Sequence, residues 1–321
     1  MRRKGLLLIC LLFSIATFAN KENFFQLGND YYYGQNGKEQ NYTQAATFYL
    51  KAAEKGYAAA QNNLGLCYEN GYGVPQNDTI AAKWFYKAAQ KGDADGQYNT
   101  AICYTAGKGV VQNDTIAAEY YLKAAKQGHM MAQYNIAVCY TEGIGVSTNH
   151  SKAVEWYRKA AEQGYMLAQY RLAVCYYTGN GITQDYLEAA VWFLKAAEQG
   201  YADAQFSLGI CYITGEVHPY AYTNAVIWFE KAALQEHAKA QYYLGICNLE
   251  GMGVEQNSTE AVKWLHKAAE QNVAEAQYNL GVCYFHGEGV EKNVLEAVIW
   301  LNKAAELGDA TAQEMLEALQ P

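Results

Sequence analysis

Proline is almost missing from this sequence, with three residues in a chain of 321. Few elements can therefore be broken from within, because each proline fixes φ and removes a backbone donor. Charge is scarce too, at 17% of residues, and acidic groups outnumber basic ones to give a formal net charge of −8. Without Arg2, Arg3 and Lys4 it would be −11, so the positive surface that neutralises phosphates is lacking and nucleic acid is not an expected partner. The motifs of several chemistries are absent: there is no H-E-x-x-H, no S-x-x-K and no K-T-G. His129, His150, His218, His237, His266 and His286 fall in different phases, with no His/Cys cluster at ligand spacing. No catalytic centre, cofactor or metal is expected. What the chain has in quantity is 51% hydrophobic residues, 28 glycines and 29 tyrosines, enough apolar surface for a core and too much for a disordered chain.

The N-terminus reads as an address. Arg2, Arg3 and Lys4 precede an apolar run from Leu6 to Ile15, followed by Thr17-Phe18-Ala19, a small-x-small site. This predicts a secretory signal over residues 1–19 and cleavage before Asn20. The run is shorter than the ~20 residues a membrane-spanning helix needs, and no later stretch is long and apolar enough to cross a bilayer. The expected mature chain, residues 20–321, is soluble and secreted or periplasmic, or in the ER lumen or outside the cell in a eukaryote. Cys10 follows Ile9 inside the apolar run, which does not suit lipidation.

Seven cysteines reveal the organisation beyond that point: Cys67, Cys103, Cys139, Cys175, Cys211, Cys247 and Cys283 stand one every 36 residues. Trp84, Trp156, Trp192, Trp228, Trp264 and Trp300 keep the same period, with Phe48 and Tyr120 at the two remaining steps. A period between about 20 and 50 residues marks a solenoid whose units bury their apolar faces only by stacking. Each unit holds two helical patterns. The first reads A-Q-x-x-L-G-x-C-Y, as in Ala276 to Tyr284, with Ala, Leu and Cys on one face. The second reads A-x-x-W-x-x-K-A-A-E-Q-G, as in Ala189 to Gly200, whose alanines let another helix come close. Gly56, Gly92, Gly128, Gly164, Gly200 and Gly308 stand where left-handed C-caps are wanted. Asp78-Thr79, Asp114-Thr115, Ser151 and Ser258-Thr259 are the expected N-caps of the second helices. A G-x-G-V loop (Gly71 to Val74 and its equivalents) joins the first helix to the second.

These residues resemble the Sel-1-like repeats, relatives of the tetratricopeptide repeats, which share L-G-x-x-Y in the first helix. The resemblance covers residues 22–321, with eight copies of K-A-A from Lys51 to Lys303. It implies an all-α fold, a right-handed α/α superhelix of eight 36-residue helix-turn-helix repeats plus a C-terminal capping helix around Ala312 to Leu316, and binding of proteins or extended peptides. Two places depart from the pattern: Tyr31-Tyr32-Tyr33 opens the first repeat with one extra residue, and Val217-His218-Pro219 replaces the glycine loop of the sixth. Secreted cysteine-rich members of the family carry disulfides. Here equivalent cysteines on stacked helices would lie roughly 9–10 Å apart, beyond the ~7 Å limit for a bridge, so they are read as small buried residues. The repeated glycine pairs have no preceding strand and are not read as phosphate loops.

The third position of the first-helix pattern holds Asn62, Tyr98, Tyr134, Tyr170, Phe206, Tyr242 and Tyr278, and the seventh is aliphatic throughout. Both lie opposite the core face, and in related helical-repeat proteins the first helices line the concave surface. The residue before the core leucine is Asn63, Asn99, Asn135, Arg171, Ser207, Tyr243 or Asn279, similar to the asparagine ladders with which related repeats grip a peptide backbone. The candidate groove is therefore Asn63, Tyr98, Asn99, Tyr134, Asn135, Tyr170, Arg171, Phe206, Tyr242, Tyr243, Tyr278 and Asn279. The plainer reading of the same residues is structural, with neighbouring helices partly closing that side. Two other functions stay open: a hydrolase-like protein acting on cell-wall or β-lactam compounds, suggested by relatives alone, and an architectural spacer. Five N-x-S/T sites at Asn41, Asn77, Asn113, Asn149 and Asn257 share one phase, as glycan acceptors or as caps.

Overall fold

The computed structural model describes residues 20–215 and 221–319, so the expected signal segment 1–19 and the Val217-His218-Pro219 departure lie outside the described residues. All regular structure within them is helical. The first helices of the repeats are α1 (20–33), α3 (Ala58–Asn70), α5 (Ala94–Ala106), α7 (Met130–Glu142), α9 (Met166–Thr178), α11 (Ala202–Ile213), α13 (Ala238–Glu250) and α15 (Ala274–His286). The second helices are α2 (Tyr42–Glu54), α4 (Asp78–Gln90), α6 (Asp114–Lys126), α8 (His150–Glu162), α10 (Tyr186–Glu198), α12 (Tyr222–Ala233), α14 (Ser258–Glu270) and α16 (Val294–Glu306). A final first-type helix, α17 (Ala310–Ala318), follows. Its Glu314 and Glu317 are exposed where earlier repeats carry aromatics or other packed residues. The chain divides after Tyr165 into two compact units, which is also a boundary between repeats. The first holds α1 to α8 and the second α9 to α17.

Within each unit the interior is built from alanine columns and one large residue per second helix. Ala117, Ala118, Ala124 and Ala125 of α6 pack with Ala132, Ile136 and Cys139 of α7 around Tyr121. The large residue buried in every second helix is not the tryptophan, although Trp192 and Trp300 are buried as well. It is the next one along: Tyr49, Phe85, Tyr121, Tyr157, Phe193, Phe229, Leu265 and Leu301 are all buried. A Cβ at Gly209 would press on the ring of Phe229, and one at Gly281 on the side chain of Leu301, which is why the first-helix pattern needs so small a residue there. The tryptophans share a different job. Each carries the lysine three residues on over its ring, at 3.8 Å for Trp84 and Lys87 and 4.1 Å for Trp156 and Lys159, so the lysine stem covers the indole while the ammonium stays wet.

The helix ends follow the sequence with one correction. Asn77, not Asp78-Thr79, caps α4: its backbone is extended and its side chain accepts from Ile80 N–H at 3.0 Å. Asn113, Asn149 and Asn257 do the same for α6, α8 and α14, and the expected caps lie inside these helices. The reason is reach, since a cap oxygen must meet the amide two or three residues ahead from a non-helical backbone. At the far end of the first helices, Gly71 and Gly107 take left-handed conformations and return their N–H groups to the Cys67 and Cys103 carbonyls. The second glycine of the loop serves close approach, because a Cβ at Gly109 would fall on the Asp78 carbonyl of the preceding second helix.

A glutamine row links successive helices. Gln133 Nε2 donates to the Ala125 carbonyl at 3.2 Å, and its Oε1 accepts from Gln163 Nε2 at 2.7 Å. Gln97, Gln205 and Gln241 repeat this arrangement, receiving Gln127, Gln235 and Gln271, and Gln199 donates likewise to Gln169. These buried amides satisfy one another and a helix-end carbonyl, as buried polar groups must.

Candidate functional site

The third-position residues of the first helices are half-buried, except Asn62, which is buried. They lean on the core row of their own repeat and on the start of the next first helix. In the first unit, the Tyr98 ring lies 5.9 Å from Tyr121 and stacks on His129 at 4.4 Å. Tyr134 packs 5.8 Å from Tyr157 and edge-on to Tyr165 at 5.2 Å. In the second unit, Tyr170 meets Phe193 at 5.7 Å and Tyr201 at 5.0 Å. Phe206 meets Phe229 at 5.9 Å and stacks on His237 at 4.7 Å. Tyr278 packs against the cluster of Leu301, Ala304 and Ala312. Along each unit the row presents one side of each ring to the protein and leaves part of it accessible.

Two amides of the expected asparagine ladder are engaged within the chain. Asn99 donates to Asn62 Oδ1 at 2.8 Å, and Asn279 donates to the Glu275 carbonyl at 2.7 Å. Ser207, at the same step, donates from its hydroxyl to the Asp203 carbonyl at 2.7 Å. Tyr243 belongs to the packing, with its ring stacked 5.4 Å from Phe229 and edge-on to Tyr242 at 5.2 Å. Arg171 is exposed. Burial pushes the Tyr98, Tyr170 and Tyr242 hydroxyls above the ordinary phenol range.

Two histidines complete the row, and the sequence pattern did not single them out. His129 and His237 are N-caps whose Nδ1 atoms accept from Ala132 and Ala240 N–H at 3.1 Å. Their Nε2 atoms face Asp95 at 3.4 Å and Asp203 at 3.3 Å. The cap bond fixes the neutral tautomer with the proton on Nε2. Burial, partly offset by these carboxylates, lowers both imidazole pKa values.

The seven cysteines among the described residues form no disulfide. Burial pushes the Cys67 thiol up to about 12 and those of Cys103, Cys139, Cys247 and Cys283 to about 11, so they are neutral at physiological pH and poor nucleophiles. Among the described residues, no group of three or more His, Cys, Asp or Glu side chains is placed to hold a metal ion, and no helix is long and apolar enough to cross a membrane.

The Sel1 repeat profile matches eight consecutive segments, residues 25–57, 58–93, 94–129, 131–165, 167–201, 202–237, 238–273 and 274–309. Among solved structures, a protective antigen present in uropathogenic Escherichia coli strains, with an SLR fold, is similar at 35% identity and a TM-score of 0.76, over 93% of this chain and 71% of that one. A Sel1 repeat protein from Oxalobacter formigenes is similar at 32% identity and a TM-score of 0.67, over 94% of this chain and 86% of that one. The DAP3-binding cell death enhancer 1 of rat and of mouse is 49% identical over 41 residues, 13% of this chain and 8% of those proteins. That is one repeat's worth, and this chain spans a small part of their length. Sel1 repeats generally mediate protein interactions, and their solenoids are typically non-enzymatic scaffolds. With matched repeats running from residue 25 to 309 and helix pairs built as described, the chain belongs to the Sel1 repeat family.

Proposed function

We propose that this chain is exported and acts as a protein- or peptide-binding scaffold, with the first-helix faces of its two units as the contact surfaces. Export rests on the basic, apolar and small-residue order of residues 1–19. Binding rests on one observation above all: the third-position aromatics recur at every step from Tyr98 to Tyr278 and are half-buried rather than sealed. A tyrosine held on one side and open on the other offers contact area at little further entropic cost, since its rotamer is already set. With Asn99 and Asn279 engaged internally, recognition falls chiefly to the rings, beside Arg171 at an exposed position, so the surface favours apolar or aromatic side chains of a partner over its backbone.

The test is selection of binding peptides from a random library on the purified protein, followed by affinity measurement with Tyr134→Ala, Tyr170→Ala and Arg171→Glu. Binding should fall about tenfold or more per truncated ring, equivalent to about 1.4 kcal/mol, while each variant keeps a cooperative melt. Arg171→Glu should alter peptide selection. Undiminished affinity in all three folded variants would sink the proposal.

A further inference from the structure

The glutamine row breaks at Gln277. Its Nε2 donates to the Ala269 carbonyl at 3.0 Å, as in the equivalent repeats, so its Oε1 points where the others receive an amide from a glutamine 30 residues later. That position holds Leu307, which is 51% exposed and has no donor to offer. Gln277 is 2% exposed, and its Oε1 has no hydrogen-bond partner among the described residues. A cavity of about 540 Å³ opens at this place, lined by Gln277, Glu270, Glu306, Trp300, Lys303 and Leu307, among others. Lys303 is held over the Trp300 ring at 3.8 Å, and Glu270 lies 3.5 Å from His266 Nδ1. The cavity thus offers a buried carbonyl oxygen and two carboxylates against one ammonium.

We propose that this cavity is a guanidinium site that takes an arginine side chain of a peptide or protein partner. In five other repeats the equivalent space receives a planar amide NH₂. A guanidinium presents the same planar N–H groups, with donors left over for Glu270 and Glu306 and a charge that matches them. A lysine ammonium lacks the plane, and a carboxamide lacks the charge. Gln61 supplies an internal contrast. Its Oε1 is also unpartnered among the described residues, beside a cavity of about 610 Å³ lined by Glu54, Trp84, Tyr86, Lys87, Gln90 and Lys91. There the place of the missing glutamine is taken by Lys91, which brings its own donor, and two lysines against one carboxylate repel a cation. The site at Gln277 stands apart from the tyrosine row, and the two readings fail independently.

The test uses the full chain labelled with 5-fluorotryptophan and observed by ¹⁹F NMR, with the Trp300 and Trp84 signals assigned by Trp300→Phe and Trp84→Phe. Titration with Nα-acetyl-arginine amide should move the Trp300 signal saturably and leave that of Trp84 in place. Leu307→Gln, at an exposed helix end, should restore the internal amide pair, raise the melting temperature and weaken the titration at least tenfold. Tyr134→Ala should leave the titration unchanged. The proposal is overturned by an unsaturable Trp300 response, by an equal response in Leu307→Gln, or by Nα-acetyl-glutamine amide or Nα-acetyl-lysine amide binding as tightly as the arginine compound.

Discussion

Phe229 and Tyr98 are both aromatic residues that recur once per repeat, and they stand in rows a few ångströms apart, yet their surroundings differ. Phe229 on α12 is 0% exposed and packs among Ala225, Ala232, Ala233 and Leu244. Tyr98 on α5 is half-buried, with a histidine face on one side and its hydroxyl directed at the Met131 sulfur at 3.8 Å. Where the core row uses tyrosine, a polar partner comes with it: Tyr121 reaches the Thr105 hydroxyl at 3.2 Å and Tyr157 the Thr141 hydroxyl at 3.3 Å. At Phe229 and Leu265 the same first-helix position is apolar, Ile213 and Leu249. One row is closed, sealed between its own repeat and the first helix of the next. The other is finished by the next repeat and stays partly open.

The comparison can be broken most directly by truncation. Phe229→Ala should cost about 3–5 kcal/mol, the usual penalty for emptying a well-packed aromatic site, whereas Tyr98→Ala should cost roughly 1–2 kcal/mol because part of its ring is already in water. Urea midpoints of the two variants measure this, and equal losses would make the open row a second core. A smaller effect is expected from Tyr121→Phe. It orphans no backbone group but removes the bond to Thr105, for about 1 kcal/mol, and adding Thr105→Val should recover part of the loss. If Tyr121→Phe changes nothing, the polar pairing in the core row is incidental.

The third effect separates the rows by pH. His129 and His237 belong to the open row, and burial lowers their pKa values on folding. The folded state therefore binds fewer protons than the unfolded chain as pH drops through about 6.5, and stability present above that value is lost below it. The groups facing His129 are Asp93, Asp95 and Tyr98, and those facing His237 are Asp203, Lys239 and Phe206. His129→Asn with His237→Asn keeps a cap oxygen at both helix starts, so the fall in melting temperature between pH 7.5 and pH 5.5 should shrink. An unchanged fall would place the acid sensitivity outside this row.

Much of this was legible in the sequence because the repeat is a periodic object. The 36-residue spacing, the two helices per unit, the left-handed glycines and the small buried cysteines follow from patterns in which local preference and stacking agree. The second-helix caps were read one residue or more too late. Asp, Ser and Thr are good cap residues by type, and the helix-start hydrogen bonds show that Asn77, Asn113, Asn149 and Asn257, whose shared phase also suited caps, hold the position. The tryptophan period drew attention from the core residue beside it, because a conspicuous side chain need not be the most buried one. His129 and His237 were seen as scattered, although each occupies the same step of its repeat, since no metal or catalytic spacing marks a stacking cap.

The sequence by itself determined the elements and their order: which segments are helical, where each ends, and that one unit cannot bury its apolar face alone. Periodicity carries that information because a helix face is set by residue spacing. Only the tertiary structure decided which polar groups find partners. A glutamine's hydrogen bonds depend on a side chain 30 residues away and on the packing that brings it near. For that reason Gln133 is satisfied and Gln277 is not, though the two stand in the same motif.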